Sequence, residues 1–347
     1  MLDLFLFNGR LLGPGTQQGE KDMSVFIIRR LMQSSMVIFA MSVIVFFGVN
    51  VIGNPVDILI NPEFDQEELE RAIKALGLDL PLWQQYLVFI KNAFQGDFGK
   101  SFVFGQSALM LIIQRIPATL ELAFSALIMS IIIGIPLGLF AGLKPDSPVS
   151  KTIMGGSILG FSLPTFWVGI MMIMVFAVIL GVLPSTGRGQ TVTIMGLDIS
   201  FLTWDGLKHI LMPAFNLALL KISLVIRLTR AGTREVVLQD YVKFARAKGL
   251  SSRRVIFVHV LKNILIPVVT VVGLELGNLI AFSVVTETVF AWPGMGKLII
   301  DSILMLDRPI IVAYLMIVVF MFVTINLVVD ILYSVLDPRV RLQDIKA

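Results

Sequence analysis

Residues 118–143 read Ala-Thr-Leu-Glu-Leu-Ala-Phe-Ser-Ala-Leu-Ile-Met-Ser-Ile-Ile-Ile-Gly-Ile-Pro-Leu-Gly-Leu-Phe-Ala-Gly-Leu, with Glu121 the only charge. As a helix rising 1.5 Å per residue, this stretch is about 39 Å long, more than the ~30 Å hydrocarbon core of a bilayer. Five further stretches pass the same test: residues 31–52, 152–183, 207–228, 264–290 and 309–336. The fold class is therefore all-α, a polytopic membrane protein with six transmembrane helices. Pro164 lies inside the longest stretch and predicts a kink or short break there, with Ser162 or Thr165 satisfying freed backbone groups. Pro136 and Pro213 predict milder bends.

Composition agrees with this reading. The chain has 347 residues, 56% hydrophobic and 15% charged, where soluble domains carry about 25% charged residues. The net charge of +4 comes from basic residues flanking apolar blocks, which marks membrane topology and not a nucleic-acid partner. Cysteine is absent, which removes disulfides, thiolate metal sites and cysteine nucleophiles. His209 and His259 lie far apart in sequence, so neither a zinc site nor any other metal site is expected. No nucleophile and base stand in register, so no catalytic residue is expected either. The first apolar stretch is too long for a cleaved signal and has no small-residue cleavage site, so it reads as an anchor.

Lys and Arg set the orientation. The link between the fourth and fifth spans alone carries Arg230, Arg234, Lys243, Arg246, Lys248, Arg253, Arg254 and Lys262. With the N-terminal segment, the link between the second and third spans and the tail, this side outnumbers the other by roughly two to one. Both termini are thus expected in the cytoplasm. The outer loop of about 53–117 contains 65–76, which reads as a short helix capped by Asp65 and stopped at Gly77. A small hairpin is expected around Met195-Gly196. Residues 1–22 form an N-terminal extension that reads either as a membrane-surface helix or as an unused upstream start.

Ionisable residues at membrane depth are functional candidates: Glu121, Lys221, Arg227, Glu275 and Asp330. Structural pairing is open for each. Lys221 and Glu275 are the first candidates for lining a translocation path, since a wall of both charge signs suits a cargo with an amine and a carboxylate. Ser162 and Pro164 are candidates for a gating kink.

The most informative polar segment is Tyr241-Val-Lys-Phe-Ala-Arg-Ala-Lys-Gly-Leu250. Asp240 starts a short helix on which Tyr241, Phe244, Ala245 and Lys248 share one exposed face, with Arg246 beside them. Gly249 supplies a left-handed stop. Such a helix fits a groove on another protein, or equally lies on anionic lipid headgroups. Gly99-Lys-Ser101 imitates the end of a phosphate-binding loop, but Phe94 occupies the position of the required first glycine.

The same segment resembles the cytoplasmic coupling-loop signature of ABC importer permeases, in the dipeptide/oligopeptide branch. Met23-Ser-Val-Phe-Ile-Ile-Arg-Arg-Leu31, Leu76-Gly-Leu-Asp-Leu-Pro-Leu-Trp-Gln-Gln-Tyr86, Gly96-Asp-Phe-Gly-Lys-Ser101 and Pro117-Ala-Thr-Leu-Glu-Leu122 resemble further landmarks of that branch, in order. So do Leu211-Met-Pro213, Glu287-Thr-Val-Phe-Ala-Trp-Pro-Gly-Met-Gly296 and Leu336-Asp-Pro-Arg-Val340. The resemblance runs over 23–347. Lys243, Phe244 and Ala245 stand where the general motif has Glu-Ala-Ala, so the individual docking contacts do not transfer.

The resemblance implies a non-catalytic permease of the type I ABC importer architecture in a bacterial or archaeal cytoplasmic membrane. It implies pairing with a homologous second permease, two ATPase subunits that hold ATP and Mg, and an extracytoplasmic substrate-binding protein. Asp240, Tyr241, Phe244, Ala245, Arg246, Lys248 and Gly249 would then form the ATPase-coupling helix. The cargo would be di- or oligopeptides, with nickel chelates, glutathione, opines or oligosaccharides as rivals on the same machine. A secondary transporter would need internal repeats and a midplane ion site, and neither is legible.

Overall fold

The computed structural model describes residues 14–51, 79–194 and 196–336. The expected helix over 65–76 lies outside the described residues. The chain forms α1 (Pro14–Val51), α2 (Leu82–Phe94), α3 (Ala108–Leu143), α4 (Pro148–Ser162) and α5 (Thr165–Met172). A π-helical continuation of α5 over Ile173–Ile179 leads to the hairpin β1 (Val192–Ile194) and β2 (Leu197–Ile199). Then come α6 (Trp204–Val237), α7 (Asp240–Ala247), a π-helical segment Val255–Leu261, α8 (Lys262–Ala281), α9 (Ser283–Val289), α10 (Met295–Leu304) and α11 (Arg308–Leu336). Parts of α1, α3, α6 and α11 are each long and apolar enough to cross a bilayer, and two bent pairs make six spans if each pair counts as one.

The expected kink in the third span is a full break. α4 and the α5 arm meet at 106°, and each is about 22 Å long, too short to cross alone. The cause is local. Pro164 disfavours helical geometry at the residue before it, and Leu163 and Pro164 are both extended, at ψ 136° and 129°. Ser162 Oγ donates to the Ile158 carbonyl at 2.9 Å, within its own helix. Ser147 caps the other end of α4 by accepting the Ser150 N–H at 3.1 Å, with Pro148 at the first helical position. By contrast, Pro136 and Pro213 sit inside unbroken helices.

Three boundaries also move. α3 begins at Ala108, so its first turns belong to what reads as loop. α6 extends well past residue 228 to Val237. The fifth span ends at Ala281, and α9 is a separate short helix.

The core is the seam between α3 and α6. Gly134, Gly138 and Gly142 recur every fourth residue on one face of α3. A Cβ at these positions would lie 2.7 Å from Val225 Cβ, 2.6 Å from the Ile226 carbonyl oxygen and 2.4 Å from Thr233 Cβ. The glycines are there for close approach, the small-xxx-small logic of helix pairs in lipid. α2 leans on α1 through an aromatic cluster of Phe46, Phe47, Tyr86 and Phe89, with Ser42 and Tyr86 hydroxyls 2.8 Å apart. The hairpin pairs Thr193 with Asp198, and Gly196 takes φ +81°.

Candidate functional site

At the end of the bundle where α6 stops, Leu238 and Gln239 turn the chain into α7. Gln239 precedes the helix and Asp240 is its first residue, with no side-chain cap. The exposed face expected from the sequence is corrected at one position. Ala245 is buried together with Val242, and both join an apolar cluster with Val225, Val255, Ile264 and Val268. The reason is that an eight-residue helix needs an anchor, and residues three apart supply one. Tyr241, Phe244, Arg246 and Lys248 remain exposed, with Phe244 at 61%. Lys248 lies over the Phe244 ring at 4.6 Å, and Lys243 pairs with Asp240 at 2.9 Å. Gly249 adopts φ +76° with open space around its α-carbon. It is needed there for backbone conformation, and its N–H closes on the Arg246 carbonyl at 2.9 Å.

Within the bundle, Lys221 of α6 donates to Glu275 of α8, and Asn278 Nδ2 donates to the same carboxylate at 3.2 Å. The two side chains retain about a fifth of their exposure (21% and 20%). Arg227 stacks on Phe161 of α4 at 4.8 Å. Asp330 pairs with Arg30 of α1 at 3.3 Å, tying the first and last long helices together.

Away from α7, three buried carboxylates act as fasteners, and the sequence reading missed two of them. Glu287 is fully buried (0% exposed). It accepts from Thr119 Oγ1 at 2.8 Å, Ser283 Oγ at 2.8 Å, and the Gly296 and Lys297 N–H groups at 2.7 and 3.1 Å. Those N–H groups open α10, where the helix dipole favours an anion. A Cβ at Gly294 would lie 2.3 Å from a Glu287 oxygen, so this glycine makes room for the carboxylate. Trp292 Nε1 donates to the Ala118 carbonyl at 2.8 Å and closes the same joint. The spacing of Glu287 from Pro293-Gly294-Met-Gly296 was the available signal.

Asp307 is the second fastener. It accepts from Ser101 Oγ and from the Phe102 and Val103 N–H groups at 3.2 and 3.4 Å. The turn that starts at Ser101 thus holds an anion supplied by its own chain. Glu121, the third, bonds Arg188 Nε at 2.9 Å and the Ser200 and Phe201 N–H groups at 2.6 and 3.1 Å. It pins the hairpin to α3.

Among the described residues no group of His, Asp or Glu could hold a metal ion.

A family model described as "Binding-protein-dependent transport system inner membrane component" matches residues 134–342, and a second model, for the N-terminal part of such components, matches residues 23–123. The chain belongs to this family. The permease is 38% identical to the di/tripeptide transport system permease protein of Pseudomonas aeruginosa (strain UCBPP-PA14), covering 92% of this chain and 99% of that one. It is 38% identical to the oligopeptide transport system permease protein of Bacillus subtilis (strain 168), covering 92% and 100%. To the glutathione transport system permease protein of Escherichia coli (strain K12) it is 36% identical, covering 91% and 98%. Among solved structures, the permease shares its fold with a methionine ABC transporter in an inward-facing conformation: TM-score 0.52, 17% identity, 66% of this chain and 97% of that chain. It is an inner-membrane component with several apolar helices.

Proposed function

We propose that the permease is one membrane subunit of an ATP-driven importer of di- and oligopeptides, with both termini in the cytoplasm. A homologous second permease completes the path, two ATPase subunits carrying ATP and Mg bind below, and an extracytoplasmic binding protein delivers cargo. The observation that carries this reading is α7. It is anchored in the bundle by Val242 and Ala245 while Tyr241, Phe244 and Lys248 stand out for a partner. Closure of the ATPase pair on ATP pushes α7, and α6 and α8 move with it. The path then opens outward to receive cargo, and hydrolysis resets it. Peptide cargo is favoured by relatives that span nearly the whole chain. Glutathione, itself a tripeptide, is the second reading, favoured by a relative of similar coverage.

The test is to co-purify the tagged permease with the products of neighbouring genes and reconstitute the assembly in proteoliposomes. Uptake of a labelled dipeptide should require both external binding protein and internal ATP. A permease that purifies alone and moves cargo down an ion gradient would overturn the reading, and uptake of glutathione alone would select the second.

A further inference from the structure

α6 is packed on three sides. One face meets the glycine seam of α3, Ser223 and Leu219 meet Gly160 of α4, and Lys221 meets α8 through Glu275. The fourth face lies opposite the seam at 100° per residue. It carries Leu220, Leu224 and Arg227, all half-buried. α4 flanks this face on one side and α8 on the other.

The two flanks treat charge differently. Lys221 is neutralised by Glu275. Arg227 has no such partner. Its guanidinium lies 4.8 Å from the Phe161 ring, and its Nε donates to the Ser223 carbonyl at 3.3 Å. Among the described residues no carboxylate comes within ion-pair distance of it. One turn on, Arg230 Nε is buried without a hydrogen-bond partner. A guanidinium at membrane depth without a counter-anion is unfavourable, and such residues mark pathways for charged cargo. Stacking and the Nε bond hold the guanidinium in place and leave its Nη edge for a bidentate oxyanion.

We propose that Arg227 receives the C-terminal carboxylate of the peptide as it passes along α6. This rests on the importer reading above and adds a recognition step within the membrane subunit. The contact must be passing, since a path that holds its cargo tightly releases it slowly.

The experiment uses the complete reconstituted assembly with saturating binding protein. It compares uptake of a dipeptide with that of its C-terminal amide, for wild type, Arg227→Gln and Arg227→Lys. In Arg227→Gln, uptake of the free-acid peptide should fall about tenfold, toward that of the amide, as expected for loss of a charged hydrogen-bond partner. The half-saturating peptide concentration, set at the binding protein, should not change. Arg227→Lys should keep an intermediate preference for the free acid. Unchanged free-acid uptake in Arg227→Gln would overturn the inference. So would an equal fall for both peptides, which would assign Arg227 to a carboxylate of the second permease or to a lipid phosphate. A wild-type assembly that imports no peptide at all would instead overturn the importer reading for peptides, a result separable from these.

Discussion

Around α9 and α10, Glu287 sits fully buried among four hydrogen-bond donors, with a glycine clearing space for it. Around α7, Phe244 and Lys248 stack on each other in the open and Arg246 is exposed beside them. One region has satisfied its buried carboxylate from within the chain. The other leaves its charges exposed. Saturated charge closes a scaffold, because nothing outside can improve on partners already in place. Unsaturated charge and exposed aromatic surface leave interaction energy for another molecule. The contrast separates parts of the permease that hold shape from parts that meet something.

The sharpest way to break the contrast is Glu287→Ala. It strands the Thr119 hydroxyl and two backbone N–H groups in a sealed joint, and the purified permease should lose about 3–5 kcal/mol of stability. A large drop in its thermal unfolding midpoint in detergent would show this, with transport falling only as folded protein is lost. An intermediate case is the Lys221–Glu275 pair. Lys221→Met alone should cost about 1–3 kcal/mol by leaving a partly buried carboxylate without its cation. The double variant with Glu275→Gln should recover much of that, measured as a double-mutant cycle. If both variants unfold alike, the pair does not couple α6 to α8. Smallest in stability is Phe244→Asp, expected to stay within about 0.5 kcal/mol of wild type because the side chain is largely exposed. Its effect should appear in function, as loss of cargo-stimulated ATP hydrolysis in the assembly. A variant that unfolds, or that stays coupled, would place Phe244 with the scaffold instead.

Much of this architecture is legible in the residues, but unevenly. The spans show because lipid demands long apolar runs, and 118–143 or 309–336 can be little else. α7 and its stop at Gly249 show because amphipathic spacing and a left-handed glycine are local signals. The inward turn of Ala245 does not, since alanine suits either environment and only the valine cluster beneath decides. The break at Pro164 reads as a kink because one proline fixes its own neighbourhood but not the angle between two arms. The glycine seam goes unseen for a different reason. Gly134, Gly138 and Gly142 are ordinary in an apolar helix until α6 is laid against them. Glu287 and Asp307 are hidden for the same cause, as their partners lie up to 206 positions away in sequence.

The burial of Val242 and Ala245 also has a mechanical side. The cluster that receives them contains Val225 of α6 and Ile264, Val268 and Val272 of α8, with Leu127, Ile131 and Ile135 of α3 packed against it. α7 itself meets α6 and the π-helical segment Val255–Leu261, which leads directly into α8, and interiors packed in this way compress little. A load applied at Phe244 has no soft linker in which to dissipate. It would pass first to α6 and to the π-helical segment that opens α8, so that a displacement of α7 is shared with both helices and not absorbed by slack between them.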